Sequence, residues 1–163
     1  MLAGRDGHVD YGVILAVVYT WPELASVGRT EKELKASKVE YRIGEFPLSA
    51  NAMAKSRLEP DGFLKVLADG RTDDILGVHI LRPDAGSLIH EAVVAMAFRA
   101  SAEDIGGTSH AHPTLPEALR EACLAVDKRT ISLSTHLEPE GFRPDPWSLR
   151  PYVGGPQIMP KAR

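Results

Sequence analysis

"GFLKVLADGRTDDILGVHILRP", residues 62–83, decides the fold class. Two runs rich in Val, Ile and Leu flank a short segment of Asp, Gly and Thr, the pattern of a β-hairpin. Alternation puts Leu76, Val78 and Ile80 on one face and Ile75, Gly77, His79 and Leu81 on the other. A tight hairpin joins antiparallel strands, so this unit cannot belong to a purely parallel sheet. His79 reads as a structural residue on a sheet face.

Upstream, "VILAVVYT" (13–20) is β-branched and apolar, and Trp21-Pro22 stops it. It reads as a buried strand, with a packing role for Trp21. "RTEKELKAS" (29–37) carries Thr30 three residues before Glu33, a capping box that opens a short polar helix. "VEYRIGEF" (39–46) places Val39, Tyr41 and Ile43 on one face of a further strand, and "SANAMAKS" (49–56) is a brief helical or loop segment. Downstream, "DAGSLIHEAVVAMAFRA" (84–100) follows Pro83 with Asp84 as N-cap. Its Leu88, Ile89, Ala92, Val93, Met96 and Ala97 form one apolar stripe. A second helix is expected over about 115–126, with Leu115, Ala118, Leu119, Ala122 and Val126 on one side. The sum is an α+β fold, an antiparallel β-sheet with packed helices.

Composition changes near residue 132. Six of the twelve prolines lie in 132–163, interrupting any regular element there. The chain divides into a domain over 1–131 and a proline-rich, extended or disordered tail over 132–163.

The 163 residues suit one domain with its own core. A net charge of −3 gives no reason to expect nucleic acid or an anionic membrane as partner. No apolar run approaches the ~20 residues of a membrane span. The single cysteine, Cys123, excludes an internal disulfide and a dithiol redox centre within the chain, suits a reducing compartment, and makes cytoplasm the default. Cys123 reads as an inert core or interface thiol, and His90 as surface or interface packing.

"SHAHPTLPEALREA" (109–122) is the chemically richest stretch. A metal clip needs three or four ligands; His110 and His112 supply two and no other His/Cys pair stands nearby, so no metal is expected. A capping box is the simpler reading: Thr114 as N-cap, Glu117 reaching back to it, and Pro116 in the first turn. The catalytic reading needs the Glu117 carboxylate on one ring nitrogen of His112, which fixes the tautomer and raises the basicity of the other. The chain, however, has no second thiol, no G-x-G-x-x-G fingerprint and no serine elbow. Residue chemistry leaves such a base without a reaction.

"SHAHPTLPEALREACLAVDKR" (109–129) resembles the C-terminal signature of the dihydrolipoamide dehydrogenases, flavin-dependent pyridine nucleotide–disulfide oxidoreductases. "VVYTWPELASVGRTEKELK" (17–35), "GFLKVLADGRTDDILGVHIL" (62–81) and "AVVAMAFRASAEDI" (92–105) resemble that family's interface domain in the same order, so the likeness runs over about 2–131. Pro116 and Ser109 depart from the usual residues, and the 132–163 tail is foreign to the family. The H-A-H-P order favours the lipoamide branch over glutathione or mercuric reductase types.

The resemblance implies a homodimerisation domain, pairing with its own copy or a full-length homologue. His112 is implied as the acid/base, Glu117 as its orienting partner, and His110 as lining the lipoamide entrance. His112 and Pro113 would approach, through their backbone, the FAD of the partner subunit. FAD, NAD and lipoamide-bearing acyltransferase complexes belong to the intact enzyme. The chain alone, lacking the nucleotide-binding regions and the redox cysteine pair, is expected to bind no cofactor and turn nothing over. The alternative is a non-catalytic interaction module with a self-complementary surface.

Overall fold

The computed structural model describes residues 9–133; the proposed tail, apart from Ser132 and Leu133, lies outside the described residues. The hairpin organises everything else. Strands β4 (Phe63–Asp69) and β5 (Ile75–Arg82) pair antiparallel, with Asp69 closing the turn by accepting from the Arg71 and Thr72 amides at 2.8 and 3.0 Å. Around them run β1 (Ala16–Val18), β2 (Glu23–Gly28) and β3 (Tyr41–Pro47), giving one five-stranded antiparallel sheet in the order β1-β2-β5-β4-β3.

Among the described residues five α-helices accompany the sheet: α1 (Glu31–Ala36), α2 (Ala52–Ser56), α3 (Ala85–Ala97), α4 (Ala102–Gly107) and α5 (Glu117–Ala125). Helices α3 and α5 cover one face of the sheet, α3 against β2 and β5, α5 against β3 and β4, and α4 packs on α5. The core between them holds Val27, Phe46, Leu64, Val66, Val78, Ile80, Ile89 and Leu119, all at most 2 % exposed. Leu34 and Leu67 are buried outside that cluster, where α1 lies: its Glu31 receives Lys65 Nζ at 3.0 Å and the Tyr41 hydroxyl at 2.9 Å. Among the described residues no helix is long and apolar enough to cross a membrane.

The α+β class stands, and several local expectations change. A bulge between Leu67 and Ala68 sets Ala68 opposite Ile75 while Leu67 faces Gly77. Leu76 is the extra residue, so Ile75 joins Val78 and Ile80 in the core and Leu76 does not. The run 13–20 forms only the three-residue edge strand β1, with Ile14, Val18 and Tyr19 exposed; pairing on one side alone leaves half of it in solvent. Trp21 does not pack, being 75 % exposed. Beyond Trp21-Pro22 the chain starts β2, where only Ala25 and Val27 point inward.

In β3 the inward residues are Gly44 and Phe46, and Val39 precedes the strand. The expected face of Tyr41 and Ile43 is the outer one. Gly44 hides the true pattern because it has no side chain to read. A Cβ there would lie 2.0 Å from the Ala122 carbonyl oxygen, so glycine is what lets α5 approach β3.

Helix termini differ in the same manner. The Thr30–Glu33 box forms as expected. Asp84 occupies the N-cap of α3 with φ 60° but caps nothing with its side chain; Glu23 receives the Gly86 amide at 2.9 Å instead. Of the expected stripe on α3, Ala97 is exposed. Helix α4 opens on a capping box of Ser101 and Asp104 that sequence reading passed over. Helix α5 begins at Glu117, later than expected, with Leu115, Ala118, Leu119, Ala122 and Val126 buried as the spacing required.

Candidate functional site

The loop between α4 and α5 carries residues 108–116, and three side chains from three elements hold it. From α5, Glu117 uses both oxygens: Oε2 accepts the Thr114 amide at 2.7 Å, and Oε1 accepts His112 Nδ1–H at 2.9 Å. Asn51, which caps α2 and is only 4 % exposed, donates Nδ2–H to the Thr114 carbonyl at 2.9 Å. From α3, Glu91 meets His110 Nε2 at 2.9 Å. The His112–Pro113 peptide is cis.

The capping box expected here forms by half. Glu117 does reach back to Thr114, but the Thr114 hydroxyl donates to the Ala111 carbonyl at 2.7 Å rather than accepting from the helix. The 111–114 turn takes that hydroxyl, and the helix starts three residues on. Glu117 is therefore free to serve the turn with one oxygen and the imidazole with the other.

The electrostatics follow from these contacts. Burial alone would raise the Glu117 pKa, but the Thr114 amide and the His112 ring outweigh it and hold the carboxyl below the usual glutamate value. An ionised carboxylate only accepts, so His112 carries a proton on Nδ1, and in the neutral ring the lone pair falls on Nε2. The His112 side chain is 72 % exposed while Glu117 is 15 % exposed: the carboxylate is sheltered and the imidazole is open. Two surface depressions among the described residues, one lined by Tyr11, Arg29 and Leu76, the other by Glu91, Val94 and Ile105, lie away from His112.

His110 sits differently. Its side chain is 7 % exposed, with Nδ1 against the Thr108 carbonyl at 3.0 Å and Nε2 against Glu91. His79 Nε2 reaches the Arg29 carbonyl at 3.1 Å, a contact internal to the sheet and its flanking turn. His90 is exposed on α3. Cys123 is buried, and burial pushes its thiol pKa far up, which suits an inert thiol. Among the described residues no three His, Cys, Asp or Glu side chains converge on a point where a metal could bind.

Sequence reading missed Asn51 and Glu91 as supports of this loop. Each lies far away in sequence, 63 and 19 residues from its partner, and neither belongs to a local pattern.

Comparison with known proteins identifies the family of this domain. Residues 14–123 match the family model described as pyridine nucleotide-disulphide oxidoreductase, dimerisation domain. A dihydrolipoyl dehydrogenase of Trypanosoma brucei brucei is 56% identical over 132 residues, 81% of this chain and 28% of that protein. The mitochondrial dihydrolipoyl dehydrogenase 1 of Arabidopsis thaliana is 54% identical over 132 residues, 81% of this chain and 26% of its own length. The crystal structure of LpdA from Mycobacterium tuberculosis superposes with a TM-score of 0.69 at 29% identity, covering 75% of this chain and 27% of that one. The chain thus spans about a quarter of the length of these relatives. A dimerisation domain implies pairing with another subunit, and the chain belongs to the pyridine nucleotide-disulphide oxidoreductase dimerisation-domain family.

Proposed function

We propose that this chain acts as the dimerisation portion of a dihydrolipoamide dehydrogenase and supplies His112 and Glu117 as the acid/base pair of a site completed by a partner subunit. One observation carries the reading. On a dimerisation domain, the His112 ring is held by Glu117 through Nδ1 and its side chain is 72 % exposed, open to another chain.

Residues 111–113 are exposed, so an imidazole nitrogen and adjacent backbone are available to a flavin edge and a disulfide brought by another chain. The described strands are all antiparallel and include no parallel β-α-β unit for a dinucleotide. These residues fit FAD as a neighbour, not as a host. FAD held by the partner would supply the route for an electron pair from the dithiol to NAD⁺.

His112 Nε2 takes the proton of a dihydrolipoamide thiol, since the thiolate is the nucleophile that attacks a disulfide. The imidazolium formed is stabilised by the Glu117 carboxylate at Nδ1, as in other His–carboxylate pairs. Pro113 and the His112 backbone would face the flavin, and His110 would line the entrance through its ring carbons, both nitrogens being engaged. The partner is a second copy or a full-length homologue, and the lipoamide arrives on an acyltransferase complex. A reducing compartment such as the cytoplasm suits the single cysteine, although the Arabidopsis relative carries a mitochondrial name.

The test is complementation. The chain is co-expressed with a relative truncated before its interface domain, and NAD⁺-dependent oxidation of dihydrolipoamide is measured. The native chain should restore activity, and His112→Gln should lose about 10²–10⁴-fold of it, the usual contribution of a positioned base. Equal restoration by both chains sinks the acid/base role. Purified alone, the chain should be colourless; a flavin absorbance band would overturn the assignment of FAD to the partner.

A further inference from the structure

Glu91 stands outside the His112–Glu117 pair, yet it reaches the same loop. It projects from the middle of α3, 19 residues before His110, and its Oε1 lies 2.9 Å from His110 Nε2. The opposite ring nitrogen, Nδ1, lies 3.0 Å from the Thr108 carbonyl. The ring between these contacts is 7 % exposed.

Both neighbours constrain the proton. A carbonyl oxygen accepts and never donates, so Nδ1 must carry hydrogen for the Thr108 contact to be attractive. The neutral tautomer with hydrogen on Nε2 alone would set two lone pairs 3.0 Å apart at Thr108. At Nε2, one proton lies between imidazole and carboxylate whichever of the two holds it. His110 is thereby locked at both ends of its ring, whereas His112 is fixed at Nδ1 and open at Nε2. Two histidines separated by one alanine occupy opposite states: one a strut, the other a tool.

We propose that Glu91 is a positioning residue, which through His110 fixes the loop that presents His112; the functional meaning of that loop rests on the reading proposed above. Glu91 ties the loop's start to α3 and Glu117 ties its end to α5, while Asn51 ties Thr114 to α2. Without the Glu91 contact, residues 108–111 lose their only side-chain link to α3 among the described hydrogen bonds, and the loop is held by Glu117 and Asn51 at its far end. Such outer supports are what hold a reacting group within ~0.5 Å of productive geometry. The other titratable groups near the pair are His90 on α3, Asp104 on α4 and the buried Cys123 on α5, whose thiol senses the Glu91 charge.

The test is spectroscopic and uses the full 163-residue chain, ¹⁵N-labelled, with long-range proton–nitrogen correlations of the histidine rings. In the native chain His110 Nδ1 should read as protonated at neutral pH. Glu91→Ala should shift the ring signals of His110 and also those of His112. Glu91→Gln, which keeps an acceptor oxygen on the same stem, should return the His112 signals toward native. A bare Nδ1 on native His110 overturns the proposal, and so does a Glu91→Ala chain whose His112 signals stay put. If Glu91→Ala does not fold, the native spectrum and Glu91→Gln still decide it. The readout needs no flavin and no substrate, so it fails or succeeds apart from the complementation assay, where His112→Gln judges the proposed function.

Discussion

Replacing Glu117 by Gln tests whether one carboxylate organises the site. Both oxygens of Glu117 face donors, the Thr114 amide at 2.7 Å and His112 Nδ1–H at 2.9 Å. A glutamine has one acceptor oxygen, so its amide must point N–H against N–H at one of the two positions. One charge-assisted bond, worth about 1.5–3 kcal/mol in a sheltered setting, is lost or replaced by a weaker one. The negative charge at the first residue of α5 adds about 0.3–1 kcal/mol through the helix dipole. Glu117 is sheltered but His112 is largely exposed, so the lower part of the range applies at the imidazole, and the total comes to about 1–3 kcal/mol.

A domain of this size shows a loss of that order as a fall of roughly 3–10 °C in Tm, read by circular dichroism at pH 7. The pH dependence has a definite sign. The folded Glu117 pKa lies below its unfolded value, so the native advantage is complete above the ordinary glutamate pKa. It fades as pH falls through the folded value, and native and Glu117→Gln curves should converge in acid. His112 should at the same time lose its fixed tautomer in ring ¹⁵N spectra. A variant that melts with the native chain at pH 7 and keeps the His112 tautomer would refute the reasoning.

Gly44→Ala should destabilise the domain by about 1–3 kcal/mol in urea titration, because its Cβ would meet the Ala122 carbonyl oxygen at 2.0 Å and force α5 off β3; an unchanged midpoint would show that α5 shifts without cost. Burial works against the charge on Glu31, yet Lys65, Tyr41 and Lys35 hold its pKa down at about 2. Its contribution is therefore fully present above the unfolded value and is lost as pH falls toward 2, and Glu31→Gln should flatten that part of the native stability–pH curve. Cys123 should resist an aromatic disulfide reagent in the native chain and react fully after denaturation, since the residue is 3 % exposed and burial disfavours the thiolate; rapid native labelling would contradict its placement.

What could be read from the sequence follows a physical line. The hairpin, the Thr30 capping box and the stripe of α5 were legible because each is a short-range pattern with its own chemistry. The faces of β3 and β5 were misread for reasons that leave no local mark. Gly44 offers no hydrophobicity to count, and the bulge at Leu67/Ala68 changes the parity of β5 without changing its composition. Strand β2 escaped notice because its inward residues are only Ala25 and Val27. The His112–Glu117 contact was foreseeable, as five residues across a turn is local. The supports from Asn51 and Glu91 were not, because they exist only once α2 and α3 pack beside the loop.

The proposed site divides the needs of a general base between two chains. Basicity requires a fixed tautomer and a sheltered counter-charge, and α5 supplies both inside this domain through Glu117. Reactivity requires a dry, shaped cavity, and the His112 side chain is 72 % exposed to water here. Water around Nε2 weakens every interaction there, by about fourfold at an effective dielectric of 80 against 20. Docking a second subunit over residues 111–113 would remove that water while leaving the Glu117 contact untouched. The pair is thus pre-organised before assembly, and the field it exerts on a thiol proton strengthens only when the interface closes. On this account an interface variant that weakens dimerisation lowers activity in the complemented enzyme and leaves the His112 tautomer of the single chain unchanged, whereas Glu117→Gln alters both.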